Sequence, residues 1–391
     1  MKHFILTNEQ RKYLGLSLIE SHWEKIELND CLTIYLDNQT IRKRIHSDGK
    51  SYIEDELEEK VDISRNLLLP KTNRGKPRKL TPSAIEYSNG KGMYYADHAS
   101  FVTIANYTTQ RTYFSHWFGN KSTLNLAWLE QWIAETTEAD LKDLEKFKVA
   151  KRKHIAYKEG DFFRFKIGRR QWGYGRILMD IGKFRKSEEY QQKYYPWFRR
   201  ILTQPLLIKI YHIVSESPDE PINKLSTLNA VPSQLIMDNR FYYGEYEIIG
   251  NKQLTMDELD MPISYASDNP DRVYLQYGLI VRQTRKRKFK KYLFTEPYTD
   301  SPYSINAIGF NIYVSQKPDL IKECIATNSN MPYWELYGRG DLRNPKFKDI
   351  KNELFQHFGL DTTSSYAELL EQEQKKQSSK GIFQYIKNLL N

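Results

Sequence analysis

The sequence predicts an α+β fold, with a β-rich central domain flanked by an α+β N-terminal domain and a helical C-terminal region. Residues Asp161–Ile167 and Tyr174–Ile181 alternate apolar and polar side chains, the period of strands with one buried face. Leu124–Ala134 and the stretch after Asn344 space their apolar residues by three and four, the helical period. A length of 391 residues exceeds one ordinary domain. The expected divisions are residues 1–155, 156–303 and 304–391.

Taken in order, Thr7 or Asn8 caps a helix expected over Thr7–Leu28. Leu32–Leu36 is a short strand, and Asp37-Asn38 turns it into Thr40–Ile45, with a further turn at Ser47-Asp48-Gly49. Asn66–Leu69, Gly92–Tyr95, Phe101–Asn106 and Thr112–Trp117 continue a β-meander, interrupted by the basic loop Lys71–Pro82. Leu124, Trp128, Leu129 and Trp132 mark a helix. Thr137 and Asp140 give the start signal of another, whose stripe is Leu141, Leu144 and Phe147. The basic KRKH at 151–154 suits a helix C-terminus.

In the centre, Gly168–Gly173 is short and polar, so the two alternating stretches form a hairpin. Phe163, Phe165, Ile177 and Met179 are expected to be buried, and Gly173 or Gly175 to sit at a bulge or a close backbone approach. Arg176 is expected to bridge to Asp161 or Asp180. Lys186–Arg200 opens like a helix, with Pro196 near its end or in a turn. Leu206–Val214 is almost unbroken in apolar residues, as a central strand covered on both faces is. Ser215–Pro221 and Met237–Arg240 read as loops, Phe241–Ile249 and Val273–Val281 as strands, and Lys286–Lys291 as a basic edge.

Toward the C-terminus, Ile308–Val314 reads as a strand and Pro318–Ala326 as a short helix with proline at its start. The helix from Asn344-Pro345 carries Ile350, Leu354, Phe355 and Phe358 on one face and stops at Gly359. Ser365–Gln374 and Ile382–Leu390 are the last helical stretches.

GDFF at Gly160–Phe163, GYGRIL at Gly173–Leu178, PLLIKIYHI at Pro205–Ile213 and YYGEYEIIGNK at Tyr242–Lys252 together resemble the bacterial immunity protein 26 family. The resemblance spans roughly residues 158–262. It implies neutralisation of polymorphic toxins of neighbouring bacteria, with a cognate toxin domain as the protein partner. The family label also carries a phosphotriesterase name. Such hydrolysis usually calls on a metal-activated water held by clustered histidines and carboxylates. His3, His22, His46, His98, His116, His154, His212 and His357 are dispersed, with no pair at i,i+2 or i,i+4. The chain also has no G-x-S-x-G, H-E-x-x-H, Walker or dinucleotide motif. No catalytic residue, metal or cofactor is therefore assigned, and the hydrolase reading ranks below the others.

The absence of a run of about 18 apolar residues argues against a membrane span. MKHFILTNEQRKYL turns polar too early for a secretory signal. Cys31 and Cys324 offer neither zinc spacing nor a disulfide framework, as suits a cytoplasmic protein.

Net charge is +10 overall, but it is segregated. Residues 141–200 hold 18 Lys+Arg against 7 Asp+Glu (+11), residues 215–271 hold 3 against 11 (−8), and residues 272–300 hold 8 against 2 (+6). Two functional readings follow, beside the plainer one of solvated charge. An acidic surface suits the basic substrate face of a nuclease toxin and speeds association with it. The residues for that surface are Asp219, Glu220, Glu245, Glu247, Asp257, Glu258 and Asp260, with Tyr242, Tyr243 and Tyr246 as anchors. Trp172, Tyr174 and Arg176 on the hairpin are the next place to look. The alternative is nucleic-acid binding or processing through basic stretches: Lys71, Arg74, Lys76, Arg78 and Lys79, then Arg285, Lys286, Arg287 and Lys288, with a third at Lys151–Lys153, Arg169, Arg170 and Arg176.

Overall fold

A computed structural model describes residues 4–200, 203–269, 271–288, 319–337 and 341–376. The expected strand at 308–314 and the stretch at 382–390 lie outside the described residues. The chain separates into two compact units: Met1–His154 with Tyr243–Glu245, and Ile155–Tyr242 with Tyr246–Asn391. Several antiparallel sheets, with helices beside them, make the fold α+β.

The first unit is built on one antiparallel sheet. Its strands are β1 (Glu24–Glu27), β2 (Leu32–Asp37), β3 (Thr40–Ser47), β4 (Tyr52–Val61), β5 (Leu67–Leu69), β6 (Arg78–Lys79), β7 (Lys91–Asp97), β8 (Phe101–Asn106) and β9 (Arg111–Trp117). The order is β1-β2-β3-β4-β7-β8-β9, with β5 and β6 added beside β4. Helices Leu126–Ala134 and Glu138–Lys148 bring Leu129, Trp132 and Leu144 onto a core shared with Tyr52, Tyr95 and Ile104. Thr137 and Asp140 form the capping box of the second helix.

The first helix is far shorter than expected, Asn8–Tyr13. Gly15 adopts φ +71°, Gly15 N–H donates to Lys12 O at 3.3 Å and Leu16 N–H to Arg11 O at 3.1 Å. Those two bonds are a left-handed glycine stop, which ends the helix after two turns at most.

Strand β4 was absent from the expected strands because its inward residues include charges. Glu54 is fully buried with Arg11 and Lys43: Arg11 Nε lies 2.7 Å and Lys43 Nζ 2.6 Å from Glu54 Oε1. Burial pushes the Glu54 carboxyl up, but Lys43 and Arg11 outweigh it and hold it below the usual carboxylate range. A depressed acid contributes stability that is complete above its unfolded value of about 4.3 and is lost as pH falls through its folded value. The Glu54→Gln chain should therefore lose less stability than the parent between neutral pH and acid. Denaturant midpoints measured across that range check this, and parallel pH profiles would contradict it.

The second unit holds two sheets. β10 (Asp161–Ile167), β11 (Gln171–Asp180), β12 (Pro205–Ser215), β13 (Ala230–Met237) and β14 (Glu247–Asn251) lie in the order β13-β12-β11-β10-β14. β15 (Ile263–Asn269), β16 (Arg272–Tyr277) and β17 (Ile280–Arg285) form the other. Phe163, Phe165 and Ile177 share a core with Ile208, Ile210 and residues of helices Asp319–Thr327 and Met331–Tyr337. Helices Lys348–His357 and Tyr366–Lys376 contribute Leu354, Phe355, Leu369 and Leu370 to a second core, with Val273 and Leu275 of the smaller sheet. Met179 joins this second core, beyond a register shift between Ile177 and Met179.

The β10–β11 hairpin is the expected one, and both glycines sit against aromatic rings. A Cβ on Gly173 would lie 2.4 Å from Phe165 Cζ, and one on Gly175 would lie 2.3 Å from Phe163 Cζ and 2.5 Å from the Lys209 carbonyl oxygen. Only glycine allows rings and backbone to close on β11 this tightly.

Other expectations need correction. Phe241–Ile249 is not one strand: helix Asn239–Tyr242 precedes a turn at Gly244, φ +70°, before β14 begins. Val273–Val281 divides into β16 and β17 around Gly278, φ +55°. Pro196 opens helix Pro196–Arg200 and does not end one, consistent with its missing N–H costing nothing at a first turn.

Candidate functional site

Two groups of polar side chains are assembled around the β10–β11 hairpin. One is buried and one is open.

The buried group begins with two cations. Arg176 of β11 and Lys209 of β12 are direct cross-strand neighbours, and like charges so placed repel. The loop after β14 resolves this. Thr255 and Glu258 form a capping box, and the Glu258 carboxylate pairs with Arg176 and lies 3.7 Å from Lys209 Nζ. Arg176 is 0 % exposed. It also donates to the carbonyls of Lys252 and, at 3.1 Å, Gln253, and its guanidinium carbon lies 4.5 Å from the Phe162 ring centroid. Its partner is thus Glu258, and not Asp161 or Asp180. Asp161 accepts from Asn251 Nδ2 at 2.7 Å, and Asp180 accepts from Lys183 N–H at 2.8 Å as a helix cap.

The chain of charges continues. Asp260 lies 2.7 Å from Arg343 Nη1 and accepts the Ser233 N–H at 2.7 Å, while Arg343 Nη2 lies 2.6 Å from Asp341. Burial pushes the Asp260 carboxyl up, but Arg343, the Ser233 N–H and Lys209 together hold it low. Burial holds the Lys209 ammonium below its ordinary value, with Glu258 opposing and Arg176 reinforcing. Arg176, Lys209 and Arg343 therefore face Glu258, Asp260 and Asp341 with no net charge. Glu258 and Asp260, two of the acids expected on a partner-facing surface, fasten the 255–260 loop to the sheet, with 20 % and 44 % of their side chains exposed.

The open group lies nearer the hairpin tip. Register sets Arg164 opposite Tyr174 and Lys166 opposite Trp172. The guanidinium of Arg164 lies 5.1 Å and the ammonium of Lys166 5.5 Å from the centroid of the Trp172 ring, so both cations are within cation–π reach of it. Arg164 also holds two acids: Nη2 is 2.7 Å from Glu247 and Nη1 is 2.7 Å from Asp219. Tyr174, buried, donates its hydroxyl to Ser217 O at 2.6 Å, and Arg164 Nη1 donates to Pro218 O at 2.8 Å. These bonds pin the 216–220 loop over the sheet. Asp219 remains 81 % exposed and Trp172 half-buried.

The remaining expected residues divide as follows. Glu220 lies 2.7 Å from Lys224 and accepts from Ser215 Oγ at 2.7 Å; these bonds hold it below the usual carboxylate range. Asp257 is exposed. Tyr242 is part-exposed at the surface, and Tyr246 is buried, stacked on Phe163 at 5.5 Å between centroids. Tyr243 and Glu245 belong to the first unit, where Glu245 accepts the Thr112 N–H at 3.3 Å and the Arg152 guanidinium lies 4.9 Å from the Tyr243 ring centroid. Of the basic residues, Lys71, Arg74, Lys76 and Lys79 are exposed, and Arg78 lies 3.2 Å from Glu59. Arg285, Arg287 and Lys288 are exposed in the second unit, beside Arg272; the Lys286 backbone lies in the same turn.

Arg164, Lys166, Lys209, Asp341 and Arg343 were not among the expected site residues. Arg164 and Lys166 had a signal, the polar phase of β10. Lys209 is the single cation inside PLLIKIYHI. Asp341 and Arg343 pair with each other two residues apart, but what they fasten lies far off: Arg343 reaches Asp260 and Ser233, 83 and 110 residues away, so nothing local marks them as site residues.

The polar face of the sheet thus carries a paired chain of charges and, nearer the hairpin tip, a half-buried tryptophan within reach of two cations. Residues 158–276 match the model of the family Immunity protein 26, a class of immunity proteins. The matched segment begins at the residues leading into β10 and ends within β16. No curated protein matches the chain. Among the described residues there is no group of three or more potential metal ligands, and no helix long and apolar enough to cross a membrane.

Proposed function

We propose that this protein binds a polymorphic toxin domain of the nuclease class, and blocks it by occlusion without turnover, acting in the cytoplasm. The observation that supports this most is that Arg164, Lys166, Trp172, Asp219 and Glu247 all fall inside the segment matched to the immunity family. Trp172 is the anchor of the surface, since a large ring with a polar edge suits the centre of an interface. Asp219, 81 % exposed beyond its contact with Arg164, and the exposed Asp257 supply acidic charge toward a basic partner, while Glu247 holds Arg164 in place. Tyr242 lies at the surface, Tyr174 and Arg176 support it from within, and the part-exposed Glu258 and Asp260 hold the 255–260 loop beside it.

The test uses the full chain and its cognate toxin. Trp172→Ala should weaken binding by about 2 kcal/mol or more, as loss of an anchor does. Joint Asp219→Ala and Asp257→Ala should mainly slow association and flatten its salt dependence. Unchanged affinity in the first variant together with an unchanged on-rate in the second would remove this surface from the mechanism.

A further inference from the structure

The β16–β17 hairpin ends in cations. Arg272 and Arg285 are direct cross-strand partners. The chain then enters a single 3-10 turn, Lys286–Lys288. Arg272, Gln283, Thr284, Arg285, Arg287 and Lys288 line a concavity of about 500 Å³. Among the described residues, Arg285, Arg287 and Lys288 form no ion pair. Nearby in the same strand the fold treats a cation differently: Arg282 Nη1 donates to Glu373 Oε2 at 3.0 Å, and the two form a two-point pair. Arg282 is neutralised, whereas Arg285, Arg287 and Lys288 carry no ion pair among the described residues.

We propose that this concavity binds the phosphate backbone of a nucleic acid. The forked guanidinium groups of Arg272, Arg285 and Arg287 match phosphate oxygens two at a time, and Lys288 adds a point charge. Gln283 and Thr284 supply neutral donors beside them. Among the described residues the lining has no apolar side chain to enter a lipid surface, and anchoring on a membrane requires one. Cations set along one strand and turn suit a polymer with evenly repeated phosphates. Apart from Arg272, the lining residues lie outside the segment matched to the immunity family, so the site is independent of the toxin-binding reading.

The experiment is fluorescence anisotropy of the full chain with labelled single-stranded RNA and with duplex DNA at varied salt. Four neutralised phosphates give a log–log slope of about −2.8 on a single strand, or roughly a 50-fold loss of affinity between about 50 and 200 mM salt. Combined Arg285→Glu, Arg287→Glu and Lys288→Glu should abolish most of the binding and most of that slope, with toxin binding unchanged. The corresponding alanine variant should give the same direction with a smaller loss, and serves if charge reversal impairs folding. Absence of binding to either nucleic acid, equal binding by parent and variants, or binding to phosphatidylserine vesicles alone would each overturn the proposal.

Discussion

Glu258→Ala should destabilise the second unit by about 3–5 kcal/mol, the usual cost of removing one partner from a buried ion pair. The carboxylate lies between Arg176, wholly enclosed, and Lys209, which is nearly so. Its removal leaves two cations side by side on adjacent strands with no anion between them. The neighbouring Asp257, exposed, provides the control, and its alanine variant should stay within about 0.5 kcal/mol of the parent. Adding Arg176→Met to Glu258→Ala should recover part of the loss, because a buried cation is then replaced by a hydrophobic side chain. Urea midpoints decide the matter. Equal midpoints for the Glu258 and Asp257 variants would show that the charge chain does not hold the loop to the sheet.

Phe165→Ala is the second large effect, about 3–5 kcal/mol, as deletion of a buried ring usually costs. Phe165 is 2 % exposed, packs 5.2 Å from the Tyr246 ring centroid and fills the space that a side chain on Gly173 would need. The ring is therefore enclosed on the strand it pairs with and by the residues before β14. Collapse around the cavity is limited because neither β11 nor Tyr246 can close in without breaking the β10 ladder. Thermal denaturation followed by circular dichroism measures the loss, and a melting temperature within a degree or so of the parent would contradict the packing described.

Much of the fold was legible from local pattern. The β10–β11 hairpin, β8, β12, the Thr137 capping box and the Gly359 stop are all set by residues within a few positions of one another. Strands β4, β13 and β15 were not read, for different reasons. β4 buries Glu54 and Asp55, whose partners Arg11, Lys43 and Arg44 come from elsewhere, so its alternation is hidden under acidic residues. β13 mixes Pro232, Ser233 and Gln234 into its buried run, and Ser233 is accommodated only because Asp260 and Arg343 reach it. The acidic bias of residues 215–271 was real, but bias does not reveal pairing. Glu258 and Asp260 differ from Asp257 through contacts with β11, β12 and residue 343, and nothing in MDELD itself distinguishes them.

The central claim is that the hairpin-tip surface of the second unit meets the toxin. Hydrogen–deuterium exchange of the full chain, alone and with its cognate toxin, tests it most directly. Peptides covering residues 164–174 and 216–220 should gain protection on complex formation, while those covering β1–β3 of the first unit should not. Protection confined to the first unit, with residues 164–174 exchanging as in the free chain, would contradict the account.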